Sequence, residues 1–208
     1  MGVVSSTPSQ PINEVPAPAE PLRYAQVSRA ARTLLRTEGE SGRFEFKRDS
    51  KVVDQTVLVA AANWVALEPS RSHVTILVGV DEVLDAETGL TTGKPVGLSG
   101  SDLALHMRRI QDYARTTLPV PVGLRIIEEG VKTKTPFLRI EVRPTTAPHF
   151  DSAGRRVTRD GAAHRALMDE ELLAIYLYRE ARQFEARFAS TAQRTIDAIG
   201  EIDRASSG

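Results

Sequence analysis

Glu40-Ser41-Gly42-Arg43-Phe44-Glu45-Phe46-Lys47-Arg48-Asp49 is the stretch from which the fold is read. Phe44 and Phe46 alternate with Glu45 and Lys47. That is the period of a β-strand, so two aromatic rings fall on one face and a carboxylate beside an ammonium on the other. Glu40 lies five residues before Glu45, across a Ser41-Gly42 break able to fold it back. Arg36, Arg43, Lys47, Arg48 and Lys51 crowd the same segment. Acids inside a cationic rim suit a phosphodiester, because the rim holds phosphate and the acids hold a metal.

Working downstream, residues 52–67 are apolar almost all round and too long for a typical strand, which predicts a largely buried helix. Residues 68–72 break it at Pro69. Residues 73–80 form a continuous β-branched run, the signature of a central strand covered on both faces, and end in Asp81-Glu82. The Gly-rich segment 81–100 reads as a loop or hairpin. A helix is expected over 101–118, with Leu103, Met107, Ile110 and Ala114 at helical spacing, stopped by Pro119 and Pro121. Strands are expected at 123–128 and 137–143, and a short one at 155–159 before an Asp160-Gly161 turn. Asp169-Glu170-Glu171 opens a long helix whose stripe runs Leu173, Leu177, Ala181, Phe184, Phe188, Ala192 and Ile199. Its last turns outrun a compact domain and offer a surface to a second subunit.

Upstream, residues 1–21 hold five prolines among Ser and Ala and form a flexible tail unable to pack a core. Residues 22–37 read as a helix with Leu22, Ala30, Leu34 and Leu35 inside and Arg29, Arg32 and Arg36 on the wet side. The expected division is a tail at 1–21, a domain at 22–180, and a C-terminal helix and tail at 181–208.

The chain of 208 residues carries 27 Lys and Arg against 27 Asp and Glu. It is no polycation, so any nucleic-acid surface must come from segregated charge. Segregation is visible: residues 29–51 hold seven basic residues against four acidic, and residues 132–165 hold eight against three. There are no cysteines, which removes disulfides, thiol nucleophiles and Cys-type zinc sites. No apolar run approaches the roughly 20 residues that span a bilayer. These features give an expected cytoplasmic protein without a membrane partner. No phosphate-loop or dinucleotide fingerprint is present, so no nucleotide cofactor is expected.

The ordered set Glu40, Glu45-Phe46-Lys47, Ala61-Ala62-Asn63, Gly79-Val80-Asp81-Glu82, Ile140-Glu141-Val142 and Arg159-Asp160-Gly161 resembles the Schlafen family core domain, also described as the divergent AlbA-type DNA-binding domain. The resemblance covers about residues 38–175. It implies an α+β fold (a mixed sheet flanked by helices) that binds nucleic acid. In the family's nuclease members a three-carboxylate cluster cuts transfer RNA and ribosomal RNA with a divalent metal. Carried over, the metal-binding acids fall on Glu40, Glu45 and one of the Asp81-Glu82 pair, with Asp81 favoured. Two departures stand out. The family's Gly-containing turn after Asn is replaced by Asn63-Trp64 and a Gly-free connection, and the hydroxyl residue expected after Arg-x-Gly is Ala162. The zinc module of animal members is absent, as is a second copy of the core, which makes a homodimer attractive.

Chemically, carboxylates holding Mg²⁺ or Mn²⁺ would supply what phosphodiester cleavage needs. Lys47, on the face of Glu45, would contact phosphate or temper carboxylate repulsion. Arg43, Arg48, Lys51, Arg155, Arg156 and Arg159 are the expected phosphate contacts. The bland alternative makes Glu45 and Lys47 the wet face of an edge strand and Asp81 a turn acid. His73 and His149 read as packing or surface residues, and Trp64 as core. The leading expectation is a metal-dependent endoribonuclease acting on structured RNA. Its contender is a non-catalytic DNA- or RNA-binding module.

Overall fold

A computed structural model describes residues 22–36, 42–67, 73–84, 86, 89, 91–98, 103–143 and 148–206. Within them the chain is α+β. A mixed five-stranded sheet has the order β1 (Leu22–Arg23), β6 (Gly123–Glu129), β7 (Phe137–Arg143), β3 (Val74–Val78), β2 (Phe44–Lys47). β2 and β3 are parallel and joined through helix α2 (Gln55–Leu67). The β3–β7 and β7–β6 pairs are antiparallel, and β1 runs parallel to β6. Two hairpins stand apart from this sheet: β4 (Val80–Leu84) with β5 (Thr91–Pro95), and β8 (Val157–Asp160) with β9 (Ala163–Ala166).

The register sorts side chains onto two faces. Ile76, Val78, Leu138, Ile140 and Val142 join one cluster with Val57, Leu58, Val59, Ala61, Ala62 and Val65 of α2 and with Leu103, Met107 and Ile110 of α3 (Leu103–Asp112). β3 is buried at all five positions, as a central strand should be. The opposite face carries Phe44, Phe46, Leu77 and Phe137, closed by Ala31 and Leu35 of α1 (Arg29–Leu35) and by Val80. Truncating a fully buried side chain such as Ile140 would cost about 2–5 kcal/mol.

Four local outcomes differ from the sequence reading. The expected helix at 22–37 begins later: Leu22–Arg23 pairs with β6, and the helix starts at Arg29 behind an Ser28 cap. Ser28 Oγ accepts from Ala31 N at 3.2 Å. The Glu129 carboxylate in turn accepts from Ser28 N and Oγ, each at 2.8 Å. A tertiary partner more than a hundred residues away therefore sets the start. The run 73–80 breaks at Gly79, whose φ of +95° turns the chain out of the sheet. Gly79 N donates to Lys47 O at 2.7 Å, so the break is fastened to the end of β2. The 101–118 helix is α only to Asp112 and continues as π-helical turns over Tyr113–Thr117. The fourth is β9, a strand that follows the Asp160-Gly161 turn where none was expected.

Helix α4 runs from Asp169 to Ser206, 38 residues without a break, roughly 57 Å at 1.5 Å per residue. Glu171 closes its first turn: it accepts from Met168 N at 3.0 Å and holds Arg165 through two bonds of 2.6 and 2.7 Å. Those bonds, the arginine's above all, hold the Glu171 carboxyl below its ordinary pKa.

Candidate nucleic-acid interface

Glu45 is where sequence and structure meet most sharply. The alternation of β2 places it with Ile76 and Val78, on the α2 side, opposite Phe44 and Phe46. That side is covered, because β8 packs on α2 and brings Arg159 down onto the strand. Glu45 is 1% exposed, and the Arg159 side chain is fully buried. Each carboxylate oxygen of Glu45 has its own cation: the Arg159 guanidinium on Oε2 and the Lys47 ammonium on Oε1. A second guanidinium nitrogen of Arg159 donates to the Gly161 carbonyl at 3.4 Å, which closes the β8–β9 turn. His164 of β9 sits close enough to feel these charges. Burial holds its imidazole below the ordinary histidine pKa, with Glu45 opposing, and its Nε2 is enclosed without a hydrogen-bond partner.

The other expected acids lie elsewhere or outside the described residues. Asp81 is on β4, in register with Lys94, and pairs with Arg48 at 3.1 Å. The β4–β5 hairpin packs on the phenylalanine face of β2: a Cβ at Gly93 would lie 2.7 Å from the Phe46 ring. Glu45 projects from the opposite face. Glu82 follows Asp81 on β4, in register with Gly93. Glu40 falls outside the described residues. Among those described, no three acids or histidines gather where one ion could be held. Mg²⁺ and Mn²⁺ need carboxylate oxygens free to coordinate. Both oxygens of Glu45 and one of Asp81 already face cations, so these residues as placed do not fit a metal.

The six expected phosphate contacts divide in the same way. Arg159 is buried with Glu45. Arg155 is held by Asp151 at 2.6 Å, Arg156 reaches Asp169 at 3.5 Å, and Arg48 is with Asp81. Arg43 and Lys51 are exposed. On the sheet, Arg139 lies between Glu129 at 3.0 Å and Glu141 at 2.7 Å, and Arg23 holds Glu128 at 2.7 Å.

Against this background the arginines of α1 are conspicuous. Arg29, Arg32 and Arg36 are exposed, follow i, i+3, i+7 spacing, and line one shallow concavity of about 580 Å³ with Thr33. None of the ion pairs found among the described residues involves them. The loop between β6 and β7 adds exposed Lys132 and Lys134. Val131 N and Lys132 N donate to the carbonyls of Tyr24 and Ala25, at 3.1 and 3.0 Å, which ties this loop to the entry of α1. The sequence reading placed the three arginines on the wet side of a helix and counted Arg36 alone among them in the cationic rim. The signal it passed over was their spacing combined with the lack of an acid in the first turn.

No family model matches the chain, and no curated protein does. Eight solved chains are similar in structure. One is the N-terminal domain of a RecG-related protein from Nitrosomonas europaea, solved in solution, with 22% identity and a TM-score of 0.44 over 62% of this chain and 84% of that one. Another is a protein from Corynebacterium diphtheriae, with 16% identity and a TM-score of 0.35 over 63% of this chain and 26% of that one.

Proposed function

We propose that this chain is a nucleic-acid-binding domain that grips the phosphate backbone with Arg29, Arg32 and Arg36 of α1, flanked by Lys132 and Lys134. The observation that carries the proposal is the arginine row, which has no acidic partner among the described residues. In a protein of zero net charge, most described cations of the sheet and of the β8–β9 hairpin are spent on carboxylates, while this row faces solvent. Guanidinium groups there form charge-assisted, bidentate bonds to phosphate. A contact of this kind positions a strand without reading its bases.

Five phosphates neutralised give a log–log salt slope of about −4 to −5 on duplex DNA. Fluorescence anisotropy with labelled duplex DNA and hairpin RNA tests this across salt. The variant Arg29→Ala/Arg32→Ala/Arg36→Ala is expected to flatten the slope by about 2 to 3 and to weaken binding to both ligands. Wild-type affinity and slope in that variant would overturn the proposal.

The endoribonuclease reading adds a cut, with Mg²⁺ or Mn²⁺ as the ion. It requires Glu40 and an acid of the Asp81-Glu82 pair to reach Glu45, and Glu45 to give up its cations. Transfer RNA incubated with Mn²⁺ and either wild type or Glu45→Gln decides it, once both are shown to be folded. Cutting lost only in Glu45→Gln supports the reading; equal cutting, or none, removes it.

A further inference from the structure

We propose that α4 pairs antiparallel with α4 of a second copy of this chain, over residues 174–191. The helix packs against α2 and buries Ile175 there. On its far side Leu177, Phe184 and Phe188 are 62%, 70% and 69% exposed. With Ala174, Ala181 and Thr191 they recur at alternating steps of three and four residues, the seam of a two-helix coil. Large side chains this exposed on one stripe need a cover.

The charges along the seam select the occupant. One edge of the stripe carries Glu180, Arg187 and Arg194 at seven-residue intervals, acid first and bases after. The other edge carries Glu185. A parallel, in-register pair would set Glu180 beside Glu185 of the second copy, like charge against like. Turning the second helix round removes the clash. With Ala181 opposite Phe184 of the second copy, Leu177 meets Phe188 and Ala174 meets Thr191. Small then faces large, and Glu180 lies beside Arg187 of the second copy. The two-fold axis makes every one of these contacts twice, which is what a self-complementary interface requires. The overlap is roughly 27 Å long at 1.5 Å per residue.

The test uses the full chain and light scattering across concentration. Wild type is expected at twice the 22.7 kDa chain mass. Phe184→Glu/Phe188→Glu should be monomeric with an unchanged circular dichroism spectrum, since both rings are exposed. Glu180→Arg and Arg187→Glu should each weaken the dimer by about ten-fold, and the double exchange should restore it. A monomeric wild type at its highest soluble concentration overturns the proposal. So does a dimer that Glu180→Arg strengthens, the mark of parallel pairing, or one indifferent to all four variants.

Discussion

Replacing Arg159 separates a structural cation from a phosphate contact. Its side chain has no exposure and Glu45 has 1%, so Arg159→Met leaves a buried carboxylate with Lys47 alone, on one of its two oxygens. Breaking a buried ion pair from one side costs about 3–5 kcal/mol, because the remaining charge keeps its desolvation penalty without its partner. For a chain of this size 1 kcal/mol moves the melting midpoint by about 2–4 °C, so the expected fall is roughly 6–20 °C. Urea and thermal unfolding followed by circular dichroism read it directly. The double variant Arg159→Met/Glu45→Leu should recover most of the loss, since exchanging a buried pair for apolar groups is close to neutral. If Arg159 instead served nucleic acid, stability would hold and affinity would drop. An unchanged unfolding midpoint in Arg159→Met, with weakened DNA or RNA binding, refutes the reasoning.

Acid should unfold the protein through His149 among others. Burial pushes this imidazole down to about 4 from 6.5, so the unfolded chain takes up a proton that the folded one refuses. Stability contributed by the neutral ring is intact above pH 6.5 and is lost at about 1.4 kcal/mol per pH unit as pH falls towards 4. His149→Leu should flatten this part of the stability profile measured by urea titration between pH 7 and pH 4; an identical slope in the variant refutes the assignment. Gly79→Ala should cost about 1–3 kcal/mol, because φ is +95° and the new Cβ would lie 3.1 Å from Leu98 and Phe137, and an unchanged urea midpoint would count against it.

Strand β2, helix α2, strand β3 and the β6–β7 pair were legible because each is governed by its own apolar pattern. The start of α1 was not, because its cap depends on Glu129, which is far away in sequence. The burial of Glu45 was hidden for the same reason. Alternation says which face a side chain takes, and only the packing of β8 on α2 decides whether that face is wet. Asn63 shows what the sequence resemblance left unsaid. Its Oδ1 accepts from His149 N at 2.9 Å, and its Nδ2 donates to the carbonyls of His149 and Val157 at 3.0 and 2.9 Å. It fastens the approach to β8, and thereby the placement of Arg159, from a fully buried position on a largely buried helix.

The balance of 27 basic and 27 acidic residues hides how unequally they are employed. A cation beside a carboxylate at about 3 Å projects little field beyond its neighbour, and salt screens the rest over about 8 Å at physiological strength. Arg48, Arg139, Arg155 and Arg159 are neutralised in this way, so their number says little about what the surface attracts. Among the described residues Arg29, Arg32 and Arg36 have no such carboxylate partner, and under the proposed function an arriving phosphate chain would relieve their repulsion. A neutral protein therefore presents a cationic strip, and the strip lies on α1, away from the acid-centred cluster at Glu45. Binding and the integrity of that cluster are then separable quantities: the α1 substitutions should change affinity at constant melting temperature, and Arg159→Met should do the reverse.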